Sequence, residues 1–190
     1  MIRESIVITA NADGTPHIAP IGVIVEADAL VIAPFRPSGT LDNLTARPVA
    51  TVNYTDDVRV YAGCLTGRRD WPTVPAARVA CPRLAGVLAH EEVEVFATVP
   101  DAQRPRLRCR VVHGVTHAPF QGFNRAQAAV IEAAILVSRL GMLPREKVAR
   151  EMEYLAIAVA KTAGEREREA WDWLVARIAA FDAQATRQVS

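Results

Sequence analysis

Paired cysteines, lysine and any excess of one charge are what this sequence lacks. Its three cysteines, Cys64, Cys81 and Cys109, are odd in number and form no Cys-x-x-Cys pair. That argues against a disulfide scaffold or a thiolate zinc site and fits a reducing cytoplasm. The four histidines, His17, His90, His113 and His117, show no His-Glu-x-x-His spacing. His113 and His117 fall four apart, but in a Val-rich run of strand character, so no bound metal is expected. With 22 basic against 21 acidic residues the net charge is +1, and no field that would draw nucleic acid or a membrane surface follows from it. Lysine is confined to Lys147 and Lys161, a skew that carries no functional reading. No apolar run reaches the length of a membrane span. Met1-Ile2-Arg3-Glu4 leads straight into an alternating segment, so no leader peptide is expected.

What is present is a globular composition, 190 residues at 51% hydrophobic and 23% charged, enough for one domain with a smaller appendage. The proline distribution divides it: eleven of the twelve lie at or before Pro119, and Pro144 alone lies beyond. Residues 1–122 have the short alternating runs of strands. Glu4 to Ala10 and His17 to Glu26 flank the turn signal Asp13-Gly14-Thr15-Pro16. Leu30 to Ala33, Pro48 to Tyr54 and Val58 to Ala62 follow, and Glu91 to Val99 pairs with Leu107 to Val115 as a long hairpin. Within that hairpin Glu92, Glu94 and Phe96 alternate with Val93, Val95 and Ala97, a strand with unlike faces. Six or seven such strands predict a small antiparallel barrel. Residues 123–190 predict three helices. Asn124 is positioned to cap Arg125 to Leu140, with Gly141 as the C-cap, and Pro144 suits the first turn of a helix to Thr162. Beyond Gly164, Trp171, Leu174, Val175, Ile178 and Phe181 share one face, after a Glu165 to Glu169 stretch expected to be solvated.

Two segments hold candidate chemistry. In Ala33 to Leu44 a strand ends at Pro34 and small hydroxyl residues precede a helical turn. Ser38, Thr40, the Gly39 backbone and the N–H groups of a helix start could converge on a phosphate, with Arg36 adding a charged contact. The same residues also suit a plain helix cap, Thr40 capping and Asn43 returning the bond. In His17 to Val23, Pro20 removes a ladder donor and Gly22 a side chain, so a flat ligand could approach the backbone. An edge strand with a bulge explains the same pattern, and His17 alone suits a half-buried strand position.

Taken together, Ala19-Pro20-Ile21-Gly22, then Ser38-Gly39-Thr40-Leu41-Asp42-Asn43-Leu44, then Val49-Ala50-Thr51-Val52-Asn53 resemble the FMN-binding split-barrel flavoproteins, to which flavin reductases belong. The closer resemblance is to an uncharacterised branch of archaea and C1-metabolising bacteria. It is carried by Glu4, Ala19 to Val23, Thr40 to Leu44, Asn53 to Asp57 and the helical residues 123–190. What the resemblance implies is an antiparallel FMN-binding split barrel with a C-terminal helical appendage, forming a homodimer. It implies a phosphate held by Arg36, Ser38, Thr40 and Asn43, an isoalloxazine facing the backbone of Ala19, Pro20, Ile21 and Gly22, and Asn53 beside the ring or ribityl chain.

A flavin carries its own hydride chemistry, which agrees with the absence of any evident triad or carboxylate dyad. The expected function is therefore an oxidoreductase or flavin reductase of unknown substrate, with no catalytic residue identified. A non-enzymatic flavin carrier or sensor is the alternative. No Gly-x-Gly-x-x-Gly unit provides for a tightly held nicotinamide. The stretch Arg68 to Pro82 matches no family motif. Its Arg68, Arg69, Arg78 and Trp71 suit an anionic, partly aromatic small molecule, or else a surface connection stiffened by proline.

Overall fold

The computed structural model describes residues 1–189. Along them run β1 (Ile2–Ala10), β2 (Pro16–Val25), β3 (Leu30–Ile32), α1 (Gly39–Ala46), β4 (Val49–Tyr54), α2 (Arg59–Leu65), β5 (Thr73–Pro75), β6 (Pro82–Leu84), β7 (Ala89–Val99), β8 (Arg106–Thr116), α3 (Arg125–Val137), α4 (Arg145–Thr162) and α5 (Glu165–Val189). They form two compact units, Met1–Asp56 with Asp70–Phe120, and Asp57–Arg69 with the residues from Gln121 on. Among the described residues no helix is long and apolar enough to cross a membrane.

The first unit is the antiparallel barrel, closed in the order β1-β2-β3-β8-β7-β4. Strand alternation sends Val7, Val23, Ile32, Val52, Val93 and Leu107 into its core, where Leu41 and Leu44 of α1 join them. Each such side chain contributes about 1.5–3 kcal/mol by leaving water. The opposite face of β1 is also dry: Ile6 and Ile8 are fully buried although they point away from that core. The segment of residues 70–88, before β7, lies against this face. Its Val79 and Cys81 pack on Ala10, and the Cys81 thiol donates to the Ile8 carbonyl at 3.7 Å. This covering segment includes the two-stranded sheet of β5 and β6, where a connection without regular structure was expected. Pro75 stands opposite Pro82 in that ladder, and two prolines in so short a pair hide the strand signal.

The run Val58 to Ala62, read as a strand, is helical. Val58, Ala62 and Leu65 follow the i, i+4, i+7 spacing and pack among Val130, Ala134 and Leu174. Asp57 starts the turn by accepting the Arg59 N–H at 3.1 Å, and its carboxylate also binds the Arg59 guanidinium at 2.7 Å. Five residues of alternating Val-Arg-Val are too few to separate the two periods, and tertiary packing decides.

In the helical unit Asn124 caps α3 as expected, accepting from the Ala126 N–H at 2.8 Å and donating to the Thr162 carbonyl at 3.1 Å. The helix ends before Gly141, however. Ser138 is its C-cap, and the Arg139 and Leu140 N–H groups bond three residues back. A tightened last turn satisfies those carbonyls, so no left-handed glycine is needed. The Glu165 to Glu169 stretch is not simply solvated either. Glu167 is buried, accepting from Gly164 N–H at 2.9 Å and Gln127 Nε2 at 3.1 Å, while Glu169 binds Arg59 at 3.1 Å. A Cβ at position 164 would meet the Glu167 carboxylate at 2.9 Å, so a larger residue there would push that carboxylate off the Gly164 N–H.

Leu174 is fully buried at the centre of this helical cluster. Leu174→Ala should cost about 2–5 kcal/mol, read as a lower urea midpoint by far-ultraviolet circular dichroism. An unchanged midpoint would mean the helices are held elsewhere.

Candidate functional site

The turn from β3 into α1 is built around Ser38. It lies in extended conformation at the N-cap, and its hydroxyl accepts the Leu41 N–H at 3.4 Å. Ser38, rather than Thr40, is thus the cap, and Thr40 is buried in the first turn. Arg36 is exposed just before it, joined to Pro37 by a cis peptide bond, with its own N–H on the Gln103 carbonyl at 2.8 Å. The start of α1 thus has an exposed Arg two residues before its Ser cap, residue types suited to an anion. His17, at the start of β2, completes the wall. A Cβ at Gly39 would sit 3.0 Å from the His17 ring, so glycine lets the imidazole pack on the turn.

Asn43 takes another role at this end. Its amide donates to Thr9 Oγ1 and Asn11 Oδ1, both at 3.0 Å, tying α1 to the β1–β2 turn. Arg47 reinforces this through the carbonyls of Asn11 and Ala12. On β2, Ala19, Pro20, Ile21 and Gly22 are all partly exposed. Pro20 and Gly22 share the outward face with Glu4, whose carboxylate would lie 3.1 Å from a Cβ at Gly22. Glycine there leaves room for the Ile2 and Glu4 side chains.

Asn53 differs from its expected place. It is fully buried, and its Nδ2 donates to the Ile6 carbonyl at 3.0 Å and to Thr51 Oγ1 at 3.1 Å, while Oδ1 accepts the Leu84 N–H at 3.0 Å. Its amide joins β4 to β1 and β6. The Arg68 to Pro82 residues likewise have structural partners. The Arg68 guanidinium lies 4.4 Å from the centre of the Trp173 ring, and Arg69 Nε donates to the Cys64 carbonyl at 3.3 Å. Arg78 is exposed and Trp71 half-buried in the barrel unit.

The sequence analysis missed a buried polar stripe on the outer face of β4 and β7. Register places Asn53 opposite His90 and Thr51 opposite Glu92. The Glu92 carboxylate, with no exposed surface, accepts the N–H groups of Ala77, Arg78 and Val79 at 2.7, 2.6 and 3.0 Å. His90 Nε2 lies 3.3 Å from the same carboxylate, and His90 Nδ1 lies 2.9 Å from Nε2 of the exposed His117. Burial opposes the Glu92 charge, yet the three backbone donors and His90 together hold its pKa below 4.5. His90 is lowered from 6.5, by burial first and then by the charge of Arg83. His117 is lowered by desolvation and Arg83 as well. Alternation of Glu92 with Val93 was legible; that a covering loop buries the glutamate face was not. The three thiols are buried and form no disulfide, Cys64 pushed up to about 11 and Cys81 and Cys109 to about 12. Among the described residues no cluster of three or more His, Cys, Asp or Glu side chains is arranged to hold a metal.

Comparison with known proteins extends this geometry. The model of a family described as protein of unknown function (DUF447), N-terminal domain, matches residues 3–118, and a second model of that family matches residues 124–176. The fold is similar to that of an FMN-bound protein from Methanosarcina mazei, with a TM-score of 0.80 at 18% identity over 93% of this chain and 94% of that one. It is also similar to a 2-nitrobenzoate 2-nitroreductase from Pseudomonas fluorescens, with a TM-score of 0.52 at 20% identity over 60% of this chain and 64% of that one. The flavin reductase component of a bacterial two-component tryptophan halogenase gives a TM-score of 0.52 at 15% identity, over 63% of this chain and 82% of that one. No curated protein matches the chain significantly.

The depressed Glu92 pKa has a pH signature. A carboxylate whose folded pKa lies below its unfolded value stabilises the fold above the unfolded value, and that stabilisation fades as pH falls through the folded one. Glu92→Gln should therefore lower stability at neutral pH by about 1–3 kcal/mol. The gap to the wild type should close below pH 4.5, in urea titrations at stepped pH. A gap independent of pH would show that Glu92 contributes no charge.

Proposed function

As this chain belongs to the DUF447 family, we propose that it is an FMN-binding flavoprotein, acting as an oxidoreductase or flavin reductase on a small anionic substrate. What supports the reading is the start of α1, capped by Ser38 and packed on His17 of β2, with the exposed Arg36 two residues before the cap. It occurs in a chain similar over 93% of its length to a protein described as FMN-bound. The donor set fits the dianionic phosphate of FMN: one guanidinium for charge, one hydroxyl, and N–H groups at a helix start. Bound there, a flavin supplies hydride transfer, so the chain need only bind, orient and shield it.

This chain's residues divide that work. Arg36, Ser38 and Thr40 hold the phosphate end, and Asn43 fixes the turn that presents them. The thinned backbone of Ala19 to Gly22 receives the flat ring, with the Glu4 carboxylate at its border. Asn53 keeps β4 and β6 in register with that surface. We further propose that the active form is a homodimer in a reducing cytoplasm. Exposed Phe35, Phe96, Val99 and Val111 on the barrel unit supply apolar surface for a two-fold partner. Three buried thiols that form no disulfide suit that compartment.

Arg36→Ala and Thr40→Ala should each weaken FMN binding by about 1–3 kcal/mol, measured by quenching of flavin fluorescence, and the double variant should be mostly apo. Unaltered affinity in the double variant would reduce the turn to a helix cap. Stopped-flow mixing with NAD(P)H then separates an enzyme, whose flavin is reduced, from a carrier, whose flavin is not.

Sedimentation equilibrium tests the dimer. A monomer that still binds FMN at micromolar protein would overturn it.

A further inference from the structure

The polar stripe on β4 and β7, continued by His117 just past β8, has a chemistry that flavin binding leaves unused. Glu92 accepts three backbone N–H groups, so it is an ionised acceptor, and His90 Nε2 facing it must carry the proton. In neutral His90 the other nitrogen, Nδ1, is then an acceptor. It faces His117 Nε2 at 2.9 Å, which must therefore donate. The buried carboxylate thus fixes two tautomers in sequence. His117, an exposed residue, is left with an unprotonated Nδ1.

We propose that His117 is a general base for a substrate O–H or N–H, with His90 and Glu92 as its positioning residues. In the step, the substrate X–H bond breaks and the Nδ1–H bond of His117 forms. The electron pair stays on X, which becomes negative. The imidazolium charge is shared through the Nε2–H bond to His90 and balanced by Glu92, as a buried carboxylate balances a catalytic histidine. Arg83 on β6 stands close enough for its charge to act on both imidazoles, so the same guanidinium favours the anion that the step produces. The substrate class is therefore a small molecule with an ionisable proton. Every titratable or charged group that faces the pair enters this arrangement: Glu92 from β7, Arg83 from β6, and His113 from β8, whose ring centre is 6.1 Å from that of His90. The lowered His90 and His117 values keep both rings neutral at pH 7. A bound flavin is not required.

Nitrogen-15 NMR of the histidine rings in the full chain tests this without knowing the substrate. At pH 7 His117 should carry its proton on Nε2 and His90 on Nε2. Glu92→Gln should shift the His117 titration midpoint downward, because a negative charge at the end of the relay is gone. Should that variant fail to fold, His90→Gln replaces it and should abolish the fixed tautomer of His117. Diethyl pyrocarbonate should acylate wild-type His117 faster than the same residue in His90→Gln. His117 protonated on Nδ1, or an identical midpoint, tautomer and acylation rate in the variants, would overturn the proposal.

Discussion

Everything on the outer face of this barrel depends on one buried carboxylate. Burying an ionised glutamate costs several kcal/mol unless hydrogen bonds replace its water. Glu92 meets that requirement with three successive N–H groups from Ala77 to Val79 and with His90. The consequence runs both ways. The loop can fold over β1 and β4 because it has an anion to cradle, and its Val79 and Cys81 pack on Ala10 of the same outward face, with the Cys81 thiol on the Ile8 carbonyl. Thr51 and Asn53 complete the attachment through the Pro82 carbonyl and the Leu84 N–H. Remove the charge and the segment between β4 and β7 loses what anchors it.

The other end of the barrel is organised by hydrogen bonds to the turn between β1 and β2. Asn43 and Arg47 hold that turn from α1, while His17 packs on Gly39 from β2. The Arg36 to Thr40 turn is thereby held from two sides, and its Arg36 N–H bonds the Gln103 carbonyl. Ser38 alone spends its hydroxyl on the helix. A turn whose orientation is set by neighbouring side chains needs little rearrangement to receive a ligand, which is what preorganisation requires.

The barrel was legible in the sequence because alternation is a local signal, and β1, β2, β4, β7 and β8 all carry it. So was Asn124, whose capping role needs only its immediate neighbours. What escaped the sequence depends on contacts distant in the chain. Val58 to Leu65 became helical through packing with α3 and α5, from residues 65 or more positions away. Asn43 and Asn53 sit in recognisable motifs, yet each has its amide tied to strands that no local pattern names. Glu92 looked like half of an ordinary amphipathic strand, and a loop thirteen to fifteen residues upstream gives it its environment. His113 and His117 drew notice only as a weak ligand pair. The partner that gives His117 meaning is His90, twenty-seven residues before it.

The central claim is that the turn at Arg36 to Thr40 and the flat stretch of β2 make this chain a flavin protein. The purified chain, incubated with excess FMN and passed through a desalting column, tests it most directly by the visible absorption of the protein fraction. The account predicts flavin absorption travelling with the protein at close to one FMN per chain. A colourless protein fraction, with all of the flavin eluting free, would contradict it.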